Sequence, residues 1–513
     1  MIKSKGNQTT QNLIMAAMNY ALSALVGFFL TSYITNHISS DAYGFSNMAT
    51  NFTQYIVIFT TALNYLSNRF ISVSYHQNNI QESNRYFNTV LIGDSVIATV
   101  VFAVSGFFIL NLQNYIRIPI VLVEDVKITF FFTFLQFGLS LAGTAFGSAA
   151  YVKNRVDLAS VKSMVYTVCK IAFLIILFYL FQPHIFYIAL SSCAAYSISL
   201  IIDIVLKCRL LPEISISMRF FSFKHFIEII QSGFWNTVTQ IGLIMNSGFD
   251  LLILNQMVGS YEMGILAISK TMPAAFDSGR NVVFSVFAPR QTILYAHKDK
   301  EGLIADILRT ARIVAFMSMP MILSLILASE SFFRLWLPSK NDSEIEIITA
   351  LFYILCAAFP ASCVYVAITN VPIIYNRQKF TALQNIITNM LSLLVTLLLI
   401  SRSGFGIYAV AGCSVVFSAI SNLFVYLPYC VKKILKMPLI SICRPMYIES
   451  LKLYTLFFVC IFLSRYVVAS SWLMLIIQLV ALILAVYLIM LFVVLNKTDR
   501  IALKKLILKR FMS

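Results

Sequence analysis

Residues 471–495 read SWLMLIIQLVALILAVYLIMLFVVL, an apolar run without a single charged side chain. About 20 such residues are enough to cross the hydrocarbon core of a bilayer as one helix. Runs of the same character recur upstream at 11–34, 44–66, 88–110, 127–150, 160–181, 185–206, 226–250, 259–283, 309–330, 345–369, 380–400, 405–428 and 449–468. Together they predict 14 transmembrane helices, among which 259–283 carries several charges. Composition sets the same class. Of 513 residues, 59% are hydrophobic and 12% charged, where a soluble domain carries about 25% charged residues. So few polar side chains could not cover a soluble surface, and the chain reads as an all-α integral membrane protein. The run from Leu13 to Leu30 follows Lys3 and Lys5 as a signal peptide would. It is too long for a signal core and opens a series of similar runs, so it reads as a retained first helix.

The formal net charge of +17 raises the question of nucleic acid. Binding of that kind needs a basic face with exposed aromatics, and here the 43 Phe and 25 Tyr sit within apolar runs. Topology explains the charge instead, since Lys and Arg hold loops on the cytoplasmic side. With both termini cytoplasmic, 29 of the 38 Lys and Arg fall on inner segments, six on outer ones and three within spans. The basic tail, 496–513, reads either as an interfacial helix on the membrane surface or as a solvated anchor. None of the nine cysteines forms a C-x-x-C pair, so they read as small apolar residues. No metal or cofactor is predicted.

Two pairs of segments match across the chain. Ser39-Ser40-Asp41-Ala42-Tyr43-Gly44 precedes the second span, and Gly259-Ser260-Tyr261-Glu262-Met263-Gly264 precedes the eighth, 220 residues later. Asn154-Arg155-Val156-Asp157-Leu158-Ala159 follows the fourth span, and Asn376-Arg377-Gln378-Lys379-Phe380-Thr381 the tenth, 222 residues later. Nearly equal offsets at equivalent positions point to duplication. Six spans is an even number, so both copies enter the membrane in the same sense, with a site where they meet. The predicted organisation is a six-helix lobe at 1–212, a pseudo-symmetric six-helix lobe at 213–437, a terminal helix pair at 438–495 and the tail at 496–513.

This 6+6 plan with two added helices, the Ser39–Gly44 loop and the stretch from Gly259 to Ala288-Pro289-Arg290 resemble the bacterial polysaccharide flippases. That family belongs to the multidrug/oligosaccharidyl-lipid/polysaccharide exporter superfamily. The resemblance implies a V-shaped bundle with a central cavity, in the bacterial cytoplasmic (inner) membrane. It implies translocation of undecaprenyl-diphosphate-linked oligosaccharide, such as the O-antigen repeat unit of lipopolysaccharide, between leaflets. The partners it implies are the lipid-linked substrate, membrane lipid, a polysaccharide polymerase and a chain-length regulator. A lipid II flippase and a multidrug exporter share the superfamily and stay open as alternatives. The first span lacks the acidic residue that cation-coupled drug exporters often carry there.

Ionisable groups at bilayer depth each cost about 2.5 kcal/mol or more near a helix centre. Lys170, Asp203 and Glu228 lie toward predicted cytoplasmic ends, where snorkelling explains them, and Asp94 is a further intramembrane acid. The eighth span differs. Lys270 and Asp277 are seven residues apart and share a face, Asp277 and Arg280 are three apart and can pair, and Pro273 lies between. One reading is a wet cationic lining for a lipid diphosphate, with Asn236, Gln240 and Asn246 of the seventh span facing sugars. The other is an ion-pair network that only holds the lobes together. Asp250 at the outer end of the seventh span and Arg69 after the second complete the candidate substrate-binding set. Arg69 reads either as a collector of anionic head groups or as an inner-loop anchor. No G-x-x-x-x-G-K-[ST] or H-E-x-x-H occurs. A membrane glycosyltransferase or polymerase would be expected to carry a large outer loop, and none is predicted.

Overall fold

The computed structural model describes residues 3–64, 67–153, 155–375 and 377–501. Asn154, Asn376 and residues 502–513 of the basic tail lie outside the described residues. Every regular element among the described residues is helical. The chain divides into two compact units, Met1–Ile268 and Ser269–Ser513.

The first unit holds α1 (Lys3–His37), α2 (Ser40–Asn64), α3 (Ser67–His76), α4 (Ile80–Leu110), α5 (Val123–Val152), α6 (Val156–Leu180), α7 (Phe186–Leu210), α8 (Phe223–Ser247), α9 (Phe249–Met257) and the start of α10 (Ser260–Ser285). The second unit continues with α11 (Ala288–Ala296), α12 (Lys300–Leu327), α13 (Ser329–Trp336), α14 (Asp342–Cys356), α15 (Phe359–Tyr365), α16 (Gln378–Ser403), α17 (Gly406–Ile420), α18 (Leu439–Leu463) and α19 (Trp472–Val493). Each predicted span falls on helix, and nine helical stretches among the described residues are long and apolar enough to cross a membrane. The protein is thus a multi-pass, all-α membrane protein. Its outer faces agree, with Leu473, Phe492 and Ile477 of α19 exposed where lipid would cover them.

Local structure departs from the hydropathy reading in three places. The segment after the second span is not a loop but α3, and α4 starts at Ile80, where the Asn79 side chain caps the helix by accepting the Glu82 N–H at 3.1 Å. The seventh span breaks at Gly248. Its carbonyl accepts the Tyr55 hydroxyl at 2.5 Å and the Asn51 amide at 3.4 Å, so it is diverted from continuing the helix. The tenth breaks between Cys356 and Phe359, and Pro360 opens the next helix. Hydropathy averages over a window and registers none of these.

One face of the first unit's core joins Leu63, Ile71, Phe87, Val90, Phe146 and Ile229, contributed by α2, α3, α4, α5 and α8. The connector between α7 and α8 runs along α4. Asn88 donates to the Ser215 carbonyl and accepts the Ser217 N–H, both at 2.8 Å, while Asn84 accepts the Ser215 N–H at 2.7 Å. Two asparagines one turn apart thus satisfy an extended backbone that has no strand partner. α2 and α10 cross at Gly44 and Gly264, where a Cβ on Gly44 would stand 3.0 Å from the Gly264 Cα. In the second unit α12 is the buried axis, and Trp336 packs at its outer flank among Phe332, Phe333 and Phe352. Asp499, beyond α19, pairs with Arg312 at 2.8 Å and Arg309 at 3.6 Å, which ties the start of the tail to α12.

Candidate functional site

α10 carries four charged side chains, Glu262, Lys270, Asp277 and Arg280, and it runs on through Pro273. In its last third the i,i+3 spacing of Asp277 and Arg280 gives the ion pair that spacing predicts, Arg280 Nη2 to Asp277 Oδ1 at 2.7 Å. Asn281 bridges them, accepting from Arg280 Nη2 at 3.3 Å and donating to Asp277 Oδ2 at 3.4 Å. Burial is unequal: the Arg280 side chain is 8% exposed and that of Asp277 50%. The buried guanidinium lies close to Cys363 and Tyr365 of α15, where Phe276 also meets Phe359 edge-on at 6.3 Å. Arg280 Nε is sealed from solvent with no acceptor among the described residues. An unsatisfied buried donor is costly to hold out of water. Lys270, half-buried, stands on the same helix.

The other sequence-predicted residues belong to the first unit. Asp250 starts α9, where its Oδ1 accepts the Leu251 N–H at 2.8 Å, and it sits near Tyr55 of α2. Arg69 is an exposed residue of α3. Asn236 and Asn246 lie on α8, but their side chains fall outside the described residues.

Snorkelling does not account for Asp203 and Lys170, while Glu228 is an exposed residue near the start of α8. Asp203 is buried and accepts from Lys162 at 2.8 Å. Glu228 accepts the Tyr86 hydroxyl at 3.1 Å. Lys170 lies deep within α6 and lines a polar cavity. Asp94 is fully buried, takes the Asn64 amide at 3.1 Å and leaves Oδ2 without a partner among the described residues. The sequence reading placed Lys170 too near a helix end and could not say which helices face these groups.

Residues 9–290 match the family described as "Polysaccharide biosynthesis protein". The chain is 26% identical over 395 residues, 76% of its own length, to the uncharacterized membrane protein EpsK of Bacillus subtilis (strain 168), covering 77% of that protein. Among solved structures it is similar to the lipid II flippase MurJ in an inward closed conformation, with a TM-score of 0.68 at 16% identity over 93% of this chain and 98% of that one. It is also similar to an inward-facing multidrug resistance MATE family transporter of the MOP superfamily, with a TM-score of 0.61 at 10% identity over 87% of this chain and 98% of that one.

Proposed function

Because the chain belongs to the polysaccharide biosynthesis protein family, we propose that it is a flippase for undecaprenyl-diphosphate-linked oligosaccharide repeat units of the O-antigen type. It carries the head group across the cytoplasmic membrane by alternating access and makes or breaks no bond. The observation that carries this reading is Arg280, a buried, half-satisfied guanidinium on a helix that also bears Lys270 and Asp277. A lipid diphosphate loses its hydration on entering hydrocarbon, a prohibitive step unaided. Fixed cations and hydrogen-bond donors offset that loss, while the prenyl tail stays in the bilayer. In this reading Lys270 and Arg280 face the diphosphate, Asp277 holds Arg280 in place, and Asn236, Asp250 and Arg69 serve the sugars and the approach of the head group.

All 14 predicted spans cross the membrane in this scheme, with both termini cytoplasmic. The lobes at 1–212 and 213–437 and the helix pair at 438–495 derive from duplication. Two facts favour it: α2 and α10 start at the matched Ser40 and Ser260, and matched Arg155 and Arg377 each stand immediately before a helix. A polymerase and a chain-length regulator act downstream of the transfer.

Purified protein in proteoliposomes, with labelled lipid-linked oligosaccharide in one leaflet, tests the reading. Wild type is expected to transfer the label without lengthening the sugar. Lys270→Ala and Arg280→Ala are expected to lose most of that transfer, with Arg280→Lys in between. Full transfer by both alanine variants sinks the cationic lining, and faster transfer of lipid II than of the oligosaccharide moves the substrate there.

A further inference from the structure

A cavity of about 390 Å3 lies wholly within the first unit, between α2, α5, α6 and α7. Its wall sets polar side chains among apolar ones such as Val57, Phe137 and Ile188: Thr50 and Gln54 from α2, Gln136 from α5, Tyr166 and Lys170 from α6, Ser192 from α7. Gln136 donates to the Tyr166 hydroxyl at 3.4 Å, so part of the wall is held in place. The volume falls toward the low end of ligand pockets, about 300–1,000 Å3.

Lys170 is the anomaly in this wall. From Val156 it lies about 21 Å along α6, and from Leu180 about 15 Å, at 1.5 Å per residue, so its ammonium is far from either end of the helix. Other charges buried in this unit have found partners. Lys162 pairs with Asp203 at 2.8 Å, Lys207 donates to the Ile214 carbonyl, and Asp94 takes the Asn64 amide. Lys170, half-buried against this cavity, has no hydrogen bond or ion pair among the described residues. An unpaired ammonium inside a membrane helix is costly to hold and marks a functional site with a missing partner. The surrounding hydroxyls and amides both donate and accept, which suits a polyhydroxylated ligand.

We propose that this chamber binds an anionic, hydroxyl-rich group, a sugar bearing a carboxylate or a phosphate, with Lys170 as its counter-charge. The binding claim stands by itself; the transport claim, that the group belongs to the cargo, rests on the flippase reading above.

The full-length protein in nanodiscs is compared with Lys170→Met and Lys170→Arg by thermal unfolding with glucuronate, glucose 1-phosphate or glucose as probe. Wild type is expected to gain Tm with the two anions and not with glucose, and the larger of the two shifts identifies carboxylate or phosphate. Lys170→Met is expected to unfold at a higher temperature than wild type without ligand, since an uncompensated charge is gone, and to lose the anion-dependent gain. Lys170→Arg is expected to keep it. In proteoliposomes the preference for a uronate-containing over a neutral lipid-linked unit is expected to fall about 10- to 100-fold in Lys170→Met, the range of one charge-assisted hydrogen bond. A lower Tm for ligand-free Lys170→Met, or an equal gain with glucose, overturns the proposal. Absent transfer by wild type with the anion shifts intact removes the flippase reading and leaves the site. Normal transfer with no anion shift and no change of preference removes the site alone.

Discussion

Gly264 has no room for a side chain. A Cβ there would run into the Ser40 carbonyl and stand 2.9 Å from the Asp41 nitrogen, all backbone at the start of α2. Backbone in a packed helix cannot yield cheaply, so Gly264→Ala is expected to cost about 1–3 kcal/mol, read as a lower Tm in detergent. Gly44→Ala meets first the flexible tip of Met263, at 2.7 Å, and should cost less. Gly27→Ala, with nothing within 4 Å of its added carbon, is the control; equal Tm for all three variants would remove the close crossing. The Asp277–Arg280 pair supports a different comparison. Asp277→Asn keeps an oxygen that can accept from Arg280 but removes its counter-charge, so it should lower Tm more than loss of an exposed pair would and spare part of the transfer. Arg280→Ala should abolish transfer at similar protein levels. If the two variants fail alike in both stability and transfer, the pair is a structural brace and not a lining. Pairing at i,i+3 was legible in the sequence because one helix supplies both partners. Lys170 was not, because its significance lies in polar faces of three other helices that sequence alone cannot bring beside it.

Among the elements, helix existence followed hydropathy and helix interruption did not. The breaks at Gly248 and after Cys356 depend on side chains from elsewhere and on a proline at a helix start. The same holds for the connector from α7 to α8, which sequence reads only as a basic loop. Its order comes from Asn84 and Asn88, both buried on α4. Removing the Asn88 side chain leaves the Ser215 carbonyl and the Ser217 N–H without their partner, a loss of about 1–3 kcal/mol for a stranded buried group. Asn88→Ala is therefore expected to lower Tm and to open residues 211–217 to added protease, while Asn111→Ala, on an exposed helix end, should do neither. Unchanged protection in Asn88→Ala would mean that the connector is ordered by its apolar anchors Leu211 and Ile214 instead.

At the scale of the whole molecule, orientation follows from where the positive charges lie. With 29 Lys and Arg on one set of segments and six on the other, the electrostatic preference for the cytoplasmic side is consistent along the entire chain. The fourteen predicted crossings would keep that alternation in phase, and one missed crossing would invert every segment after it. Labelling with a membrane-impermeant maleimide in intact cells, in a background stripped of the native cysteines, reads the phase directly. Ile120→Cys, at a highly exposed position before α5, is expected to label from outside. Lys298→Cys, between α11 and α12, and Lys497→Cys, just past α19, are expected to label only after permeabilisation. Since residues 120 and 497 are separated by most of the predicted crossings, a miscount between them places both on the same side. External labelling of Lys497→Cys alone would then mean an odd number of crossings in the second half. Such a result would remove one crossing from the stretch between residues 298 and 497, whereas external labelling of Lys298→Cys would count against an even number of crossings before it, on which the proposed parallel orientation of the repeats depends.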